Sequence, residues 1–81
     1  MPPGLVCKSK KNGARLLRLI EGTSVGDQTY AKDVGEHWAD GHCANREWYN
    51  LAKYEVSDAI ERARSASVKR RLRAVQKILG R

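Results

Sequence analysis

Residues 45–79 read NREWYNLAKYEVSDAIERARSASVKRRLRAVQKIL, and this stretch decides the fold class. Trp48, Ala52, Val56, Ala59, Ile60 and Ala63 fall on one face of an α-helix, with Tyr49 beside them. Asn45 stands where an N-cap is needed, because its side-chain oxygen can accept an orphan backbone N–H, and Glu47 suits the positive end of the helix dipole. Asp58 and Arg62, four apart with the acid first, add a pair worth about 0.2–0.5 kcal/mol. Farther on, Val68, Leu72, Val75 and Leu79 form a second apolar stripe, and Lys69, Arg70, Arg71, Arg73 and Lys77 occupy the remaining faces up to Gly80, a favoured residue after a helix. One unbroken helix over this stretch would be about 50 Å long, too long for a small compact domain. A bend is expected at Ser65-Ala66-Ser67.

Toward the amino terminus, Tyr30, Val34 and Trp38 share a face and predict a helix over residues 29–39, stopped by Asp40-Gly41. Residues 22–27, rich in Gly, Thr, Ser and Asp, read as a loop. Asn12-Gly13 is a hairpin dipeptide and would pair a strand near residues 5–11 with one near 14–20. Leu16, Leu17, Leu19 and Ile20 do not alternate as a half-buried strand should, so a helix is preferred for 14–20. The expected fold is therefore mainly α. It is a small domain of three to four helices with a basic N-terminal arm, a short N-terminal β-hairpin as the alternative there, and a basic amphipathic C-terminal helix. Residues 1–13 form the arm or an edge strand, and residues 14–81 a single helical domain.

Charge is segregated along the chain. Residues 1–18 carry +5 with no acid, residues 19–61 hold all nine carboxylates and carry −6, and residues 62–81 carry +8 with no acid. Blocks of one sign create a field that attracts polyanions, and a helix that is merely solvated normally mixes both signs. Nucleic acid is the expected partner, DNA in preference to RNA. Phosphate contact is assigned to Lys69, Arg70, Arg71, Arg73 and Lys77, supported by Lys8, Lys10, Lys11 and Arg15, with Arg46 and Asn50 as candidates for base edges. A helix starting near Ser67 would place Lys69, Arg70 and Arg71 in its first turn, where a phosphate would relieve their repulsion from the dipole. Two plainer readings compete: solvated basic faces, and ends that fold back onto the acidic middle.

With 81 residues there is little room for both a core and a deep active site, so the chain is not expected to be an enzyme. Cys7, His37, His42 and Cys43 are zinc-type ligands without the spacing of a knuckle, ribbon or finger. His42-Cys43 beside Asp40 suggests a nucleophile only by proximity along the chain, which is not geometry. No metal or cofactor is expected, and the two cysteines are expected as thiols in a cytoplasmic protein that neither spans nor carries a leader to a membrane. A helix-turn-helix over residues 29–64 fails at the turn, where Ala39 replaces the glycine and residues 40–44 make the link too long.

The function expected is a small nucleic-acid-binding regulatory or accessory protein, a monomer or a homodimer. The alternative is a modulator of a protein of the transcription, replication or defence machinery, using the basic ends on an acidic surface with Trp48 or Tyr49 as anchor.

Overall fold

The computed structural model describes residues 4–80. Two short strands and four helices follow one another as β1 (Leu5–Val6), α1 (Lys10–Ile20), α2 (Tyr30–Ala39), β2 (Ala44–Asn45), α3 (Arg46–Arg62) and α4 (Ala66–Leu79). The helices are neighbours in chain order around a ring: α1 packs on α2, α2 on α3, α3 on α4, and α4 back on α1. The mainly helical class and the break before α4 are as expected. Ser65 ends the link after α3 by accepting the amide of Val68 at 3.3 Å, an N-cap that starts the new helix.

The hairpin turning at Asn12-Gly13 does not form, and the short antiparallel pair that the N-terminal segment makes is with a distant strand. Ser9 caps α1 by accepting the amide of Asn12 at 3.1 Å, so Asn12-Gly13 lies inside the helix and not in a turn. Gly13 is buried where α1 crosses α2. A Cβ there would stand 2.7 Å from Trp38 Cβ and 2.8 Å from the carbonyl oxygen of Gly35, closer than carbon atoms tolerate. Gly35 answers from α2, where a Cβ would meet Leu16 at 2.9 Å. Both glycines thus serve the close approach of two backbones, a demand that no local pattern announces.

β1 pairs instead with β2, antiparallel, in the register Leu5↔Asn45 and Val6↔Ala44. The next pair in that register is Cys7 with Cys43, and these are joined as a disulfide, which corrects the expectation of two thiols. The amide of Arg46 donates to the carbonyl of Gly4 at 2.9 Å, and the indole N–H of Trp38 donates to the carbonyl of Val6 at 2.9 Å. The segment read as an arm is therefore fastened from Gly4 to Cys7, and only Lys8 and Ser9 separate the disulfide from the start of α1.

The core collects Leu16 and Ile20 of α1, Val25 of the following loop, Val34 and Trp38 of α2, Tyr49, Ala52, Val56 and Ala59 of α3, and Leu72, Val75 and Leu79 of α4. On α3 the buried stripe runs through Tyr49, one position from the Trp48 expected from spacing; Trp48 is only half-buried. Asn45 caps α3 as expected, accepting the amides of Glu47 at 2.9 Å and Trp48 at 3.2 Å. Glu55 of α3 performs a task the sequence hid. Its carboxylate accepts the amides of Tyr30 and Ala31 at 3.0 and 2.9 Å, closing the N-terminus of α2 with a charge of the favoured sign.

Gly13→Ala opposes two effects. Helix propensity favours Ala by about 0.8–1.0 kcal/mol, whereas overpacking against unyielding backbone costs about 1–3 kcal/mol. A net loss of stability is expected in urea denaturation, with Gly4→Ala, which meets nothing within 4 Å, unchanged as control. Reducing the disulfide, whose cysteines are 36 residues apart, should lower stability by about 2–4 kcal/mol. Denaturation with and without reductant measures it.

Candidate nucleic-acid interface

The ring arrangement converts charge blocks along the chain into charge in space. α1 carries Lys10, Lys11, Arg15 and Arg18, α4 carries Lys69, Arg70, Arg71, Arg73 and Lys77, and neither helix contains a carboxylate. Because α4 packs back on α1, the two basic helices are adjacent, and the acidic residues lie on α2, α3 and the connecting segments. The pair runs antiparallel. Arg71, near the start of α4, reaches the end of α1, while Lys8 Nζ lies 3.9 Å from the Cβ position of Gly80 at the end of α4.

Between them runs a groove lined by Lys8, Asn12, Arg15, Ala74, Lys77 and Ile78. Its cations come from both terminal blocks, and among the described residues no acid lines it. Lys8, Arg15 and Lys77 are all exposed, so their charged ends are available to a ligand. Among the described residues, no Lys or Arg of α1 or α4 is ion-paired with a carboxylate; the observed pair, Arg62 with Asp58 at 3.0 Å, lies within α3. Within the described residues, the ends have not folded back onto the acidic middle through ion pairs.

The other expected phosphate contacts divide. Lys10, Lys11, Arg70 and Arg73 are exposed on the basic pair and Lys69 is half-buried. Arg71 is committed elsewhere: its Nε donates to the carbonyl of Leu19 at 3.2 Å and its terminal nitrogen to that of Glu21. These are carbonyls at the C-terminal end of α1, where a guanidinium satisfies orphan acceptors at the negative end of the dipole. The imagined phosphate cradle at the start of α4 loses this arm. It also loses its geometry, since α4 begins at Ala66 and the amide of Lys69 already donates to Ser65 at 3.0 Å, past the first turn. Arg18 sits at the boundary of the basic face, in a groove of mixed charge with Lys32, Glu21 and Glu36.

The two base-edge candidates are on α3, away from the groove between α1 and α4. The Arg46 guanidinium lies 5.9 Å from the centre of the Tyr49 ring, a cation–π arrangement. Asn50 is exposed and shares a shallow depression with Lys53, Tyr54 and Ser57. Of the two aromatic anchors expected for a protein partner, Tyr49 is buried and donates its hydroxyl to the carbonyl of Leu79, tying α3 to the end of α4. Trp48 is half-buried, edge-on to His37 at 5.7 Å. The fully presented aromatic is Tyr54, 78% exposed. Its position off the stripe of Tyr49, Ala52, Val56 and Ala59 is the signal that would have found it.

Neither cysteine is available as a nucleophile or a zinc ligand, because both are consumed in the disulfide. His37 Nδ1 lies 2.9 Å from the carbonyl of Asp33, and among the described residues no three His, Cys, Asp or Glu side chains converge as a metal site would need. The link from α2 to α3 includes β2 and the bridged Cys43, longer than the tight turn of a helix-turn-helix. The chain matches no protein family, no curated protein and no solved structure.

Arg71→Ala should destabilise the protein by about 1–2 kcal/mol, since two carbonyls lose a charged donor. Arg70→Ala and Arg73→Ala should stay within about 0.5 kcal/mol of the wild type. Thermal denaturation of the three variants separates the structural arginine from the presented ones.

Proposed function

We propose that this protein is a small nucleic-acid-binding regulatory or accessory protein that holds a phosphate backbone against α1 and α4, by binding and not by catalysis. The observation that carries the reading is the acid-free groove in which Lys8 and Arg15 of the amino-terminal block meet Lys77 of the carboxy-terminal block. Cations brought together without carboxylate partners repel one another, and a polyanion relieves that repulsion while releasing its own counterions. Helix electrostatics add to it. Lys10 and Lys11 occupy the first turn of α1, where there is no acidic residue and the positive end of the dipole disfavours them. A phosphate beside that turn supplies the missing negative charge.

Arg70 and Arg73 extend the contact along α4, and Lys11 along α1. The ligand is taken as DNA ahead of RNA, in the cytoplasm, bound by a monomer or a homodimer. Among the described residues no helix is long and apolar enough to cross a membrane. The Cys7–Cys43 bond pulls the other way on location, since such bonds are uncommon in reducing compartments. The alternative of a protein modulator loses Tyr49 as an anchor, because that side chain is buried.

Titration with nucleic acid across salt concentrations tests the reading. Log affinity should fall linearly with log salt, and Lys8→Ala, Arg15→Ala and Lys77→Ala should each reduce the slope on duplex by about 0.9. Arg62→Ala, in the exposed pair on α3, should leave it unchanged. Absence of binding at low salt rejects the proposal and favours an acidic protein partner. Parallel titrations with DNA and RNA of equal length test the order of preference.

A further inference from the structure

The basic groove has a neighbour at the Gly80 end of α4. Across the end of α4, a second groove is lined by Lys53, Ser57, Gln76, Leu79 and Gly80, and it shares Lys53 and Ser57 with the depression that contains Asn50 and Tyr54. Lys8, which lines the groove between α1 and α4, lies beside Gly80. Lys8 thus bridges the two at Gly80, where its Nζ lies 3.9 Å from the Cβ position, and Lys53 and Ser57 lead on from the second groove to Tyr54.

The chemistry changes along the way. The first part offers cations alone, the middle offers Lys53, and the far part offers an exposed aromatic ring with an amide one helical turn away at Asn50. Lys53 is held in place by the Tyr49 ring, whose centre lies 5.0 Å from its ammonium. Tyr49 in turn is anchored to the Leu79 carbonyl, so the cation at the junction rests on a rigid support. Among the described residues no acid lines either of these grooves. The closest carboxylate along the exposed face of α3 beyond Tyr54 is Asp58, already neutralised by Arg62 at 3.0 Å; Glu47 lies about two turns in the other direction.

A duplex keeps its base faces stacked inside and has no use for an exposed ring beside a cationic track. An unpaired strand presents both a backbone and free base faces, and proteins that hold such strands combine a positive groove with aromatic stacking platforms. We infer that this surface binds a single-stranded segment of nucleic acid, with its phosphates along Arg15, Lys77, Lys8 and Lys53 and a base stacked on Tyr54, where Asn50 can reach the base edge. This rests on the reading that α1 and α4 hold a phosphate backbone, and it names the form of nucleic acid.

The experiment compares oligothymidylate, oligouridylate and a duplex of equal length on the full chain, for the wild type, Tyr54→Ala, Tyr54→Phe and Lys77→Ala. Single strands should bind more tightly than the duplex. Tyr54→Ala should weaken single-strand binding by about 5- to 150-fold, the range of one lost base stack, with the salt slope unchanged because no charge is removed. Tyr54→Phe should retain most of the affinity, and duplex binding should respond little to either. Lys77→Ala should instead reduce the single-strand salt slope by about 0.7. Tyr54 is exposed, so circular dichroism should show Tyr54→Ala folded as the wild type. If Tyr54→Ala leaves single-strand affinity intact while Lys77→Ala weakens it, the stacking inference is overturned and the phosphate groove stands. Failure of the wild type to bind any of the three overturns both.

Discussion

The crossing of α1 over α2 at Gly13 is the constraint on which the rest of the structure depends. Only a residue without a side chain lets the α1 backbone approach the turn of α2 formed by Gly35, Trp38 and Ala39. That approach places Leu16 and Ile20 beside Val34 and Trp38 in the core. With α1 seated there, the fourth side of the ring is open to α4, and Leu72, Val75 and Leu79 close it. Displacing α1 by the width of a methyl group would disturb the contact between the basic helices as well as the core, since interiors are packed too densely to absorb such a shift locally.

The amino-terminal segment secures the same arrangement from outside. Pairing with β2, the disulfide and the Trp38 indole all hold residues 4–7 against the far end of α2. Lys8 follows immediately, so its direction is set by covalent geometry more than by its own interactions. A segment read as a free arm is instead fixed close to the end of α4. Preorganisation of this kind lowers the entropy lost when a ligand is bound.

Charge is handled differently in the two halves. The acids of the middle are partly absorbed into structure, most clearly Glu55, which closes α2, and Asp58, which pairs with Arg62. Among the basic residues, Arg71 is absorbed in the same way by the end of α1. The cations that remain on α1 and α4 have no such structural employment among the described ion pairs. Mutual repulsion there works against the fold, a cost that the proposed polyanion would offset.

The sequence by itself determined α2, α3 and α4 and their ends, but not where α1 begins. The apolar periodicity of residues 45–79 places α3 and α4, Asn45 stands out as a cap because few side chains can serve there, and the serines at 65 and 67 mark the break. These are local effects, governed by residues within a turn or two. Charge blocks at the two ends were equally legible, and they pointed to Lys8, Arg15 and Lys77 without showing that the three would share a groove. Tertiary structure alone decided that Asn12-Gly13 would be helical, that Tyr49 and not Trp48 would be buried, that Arg71 would turn to α1, and that Cys7 would meet Cys43. Each depends on partners from 22 to 52 positions away or on the rotation of a helix about its axis, and neither distance nor rotation is encoded in the spacing of nearby residues.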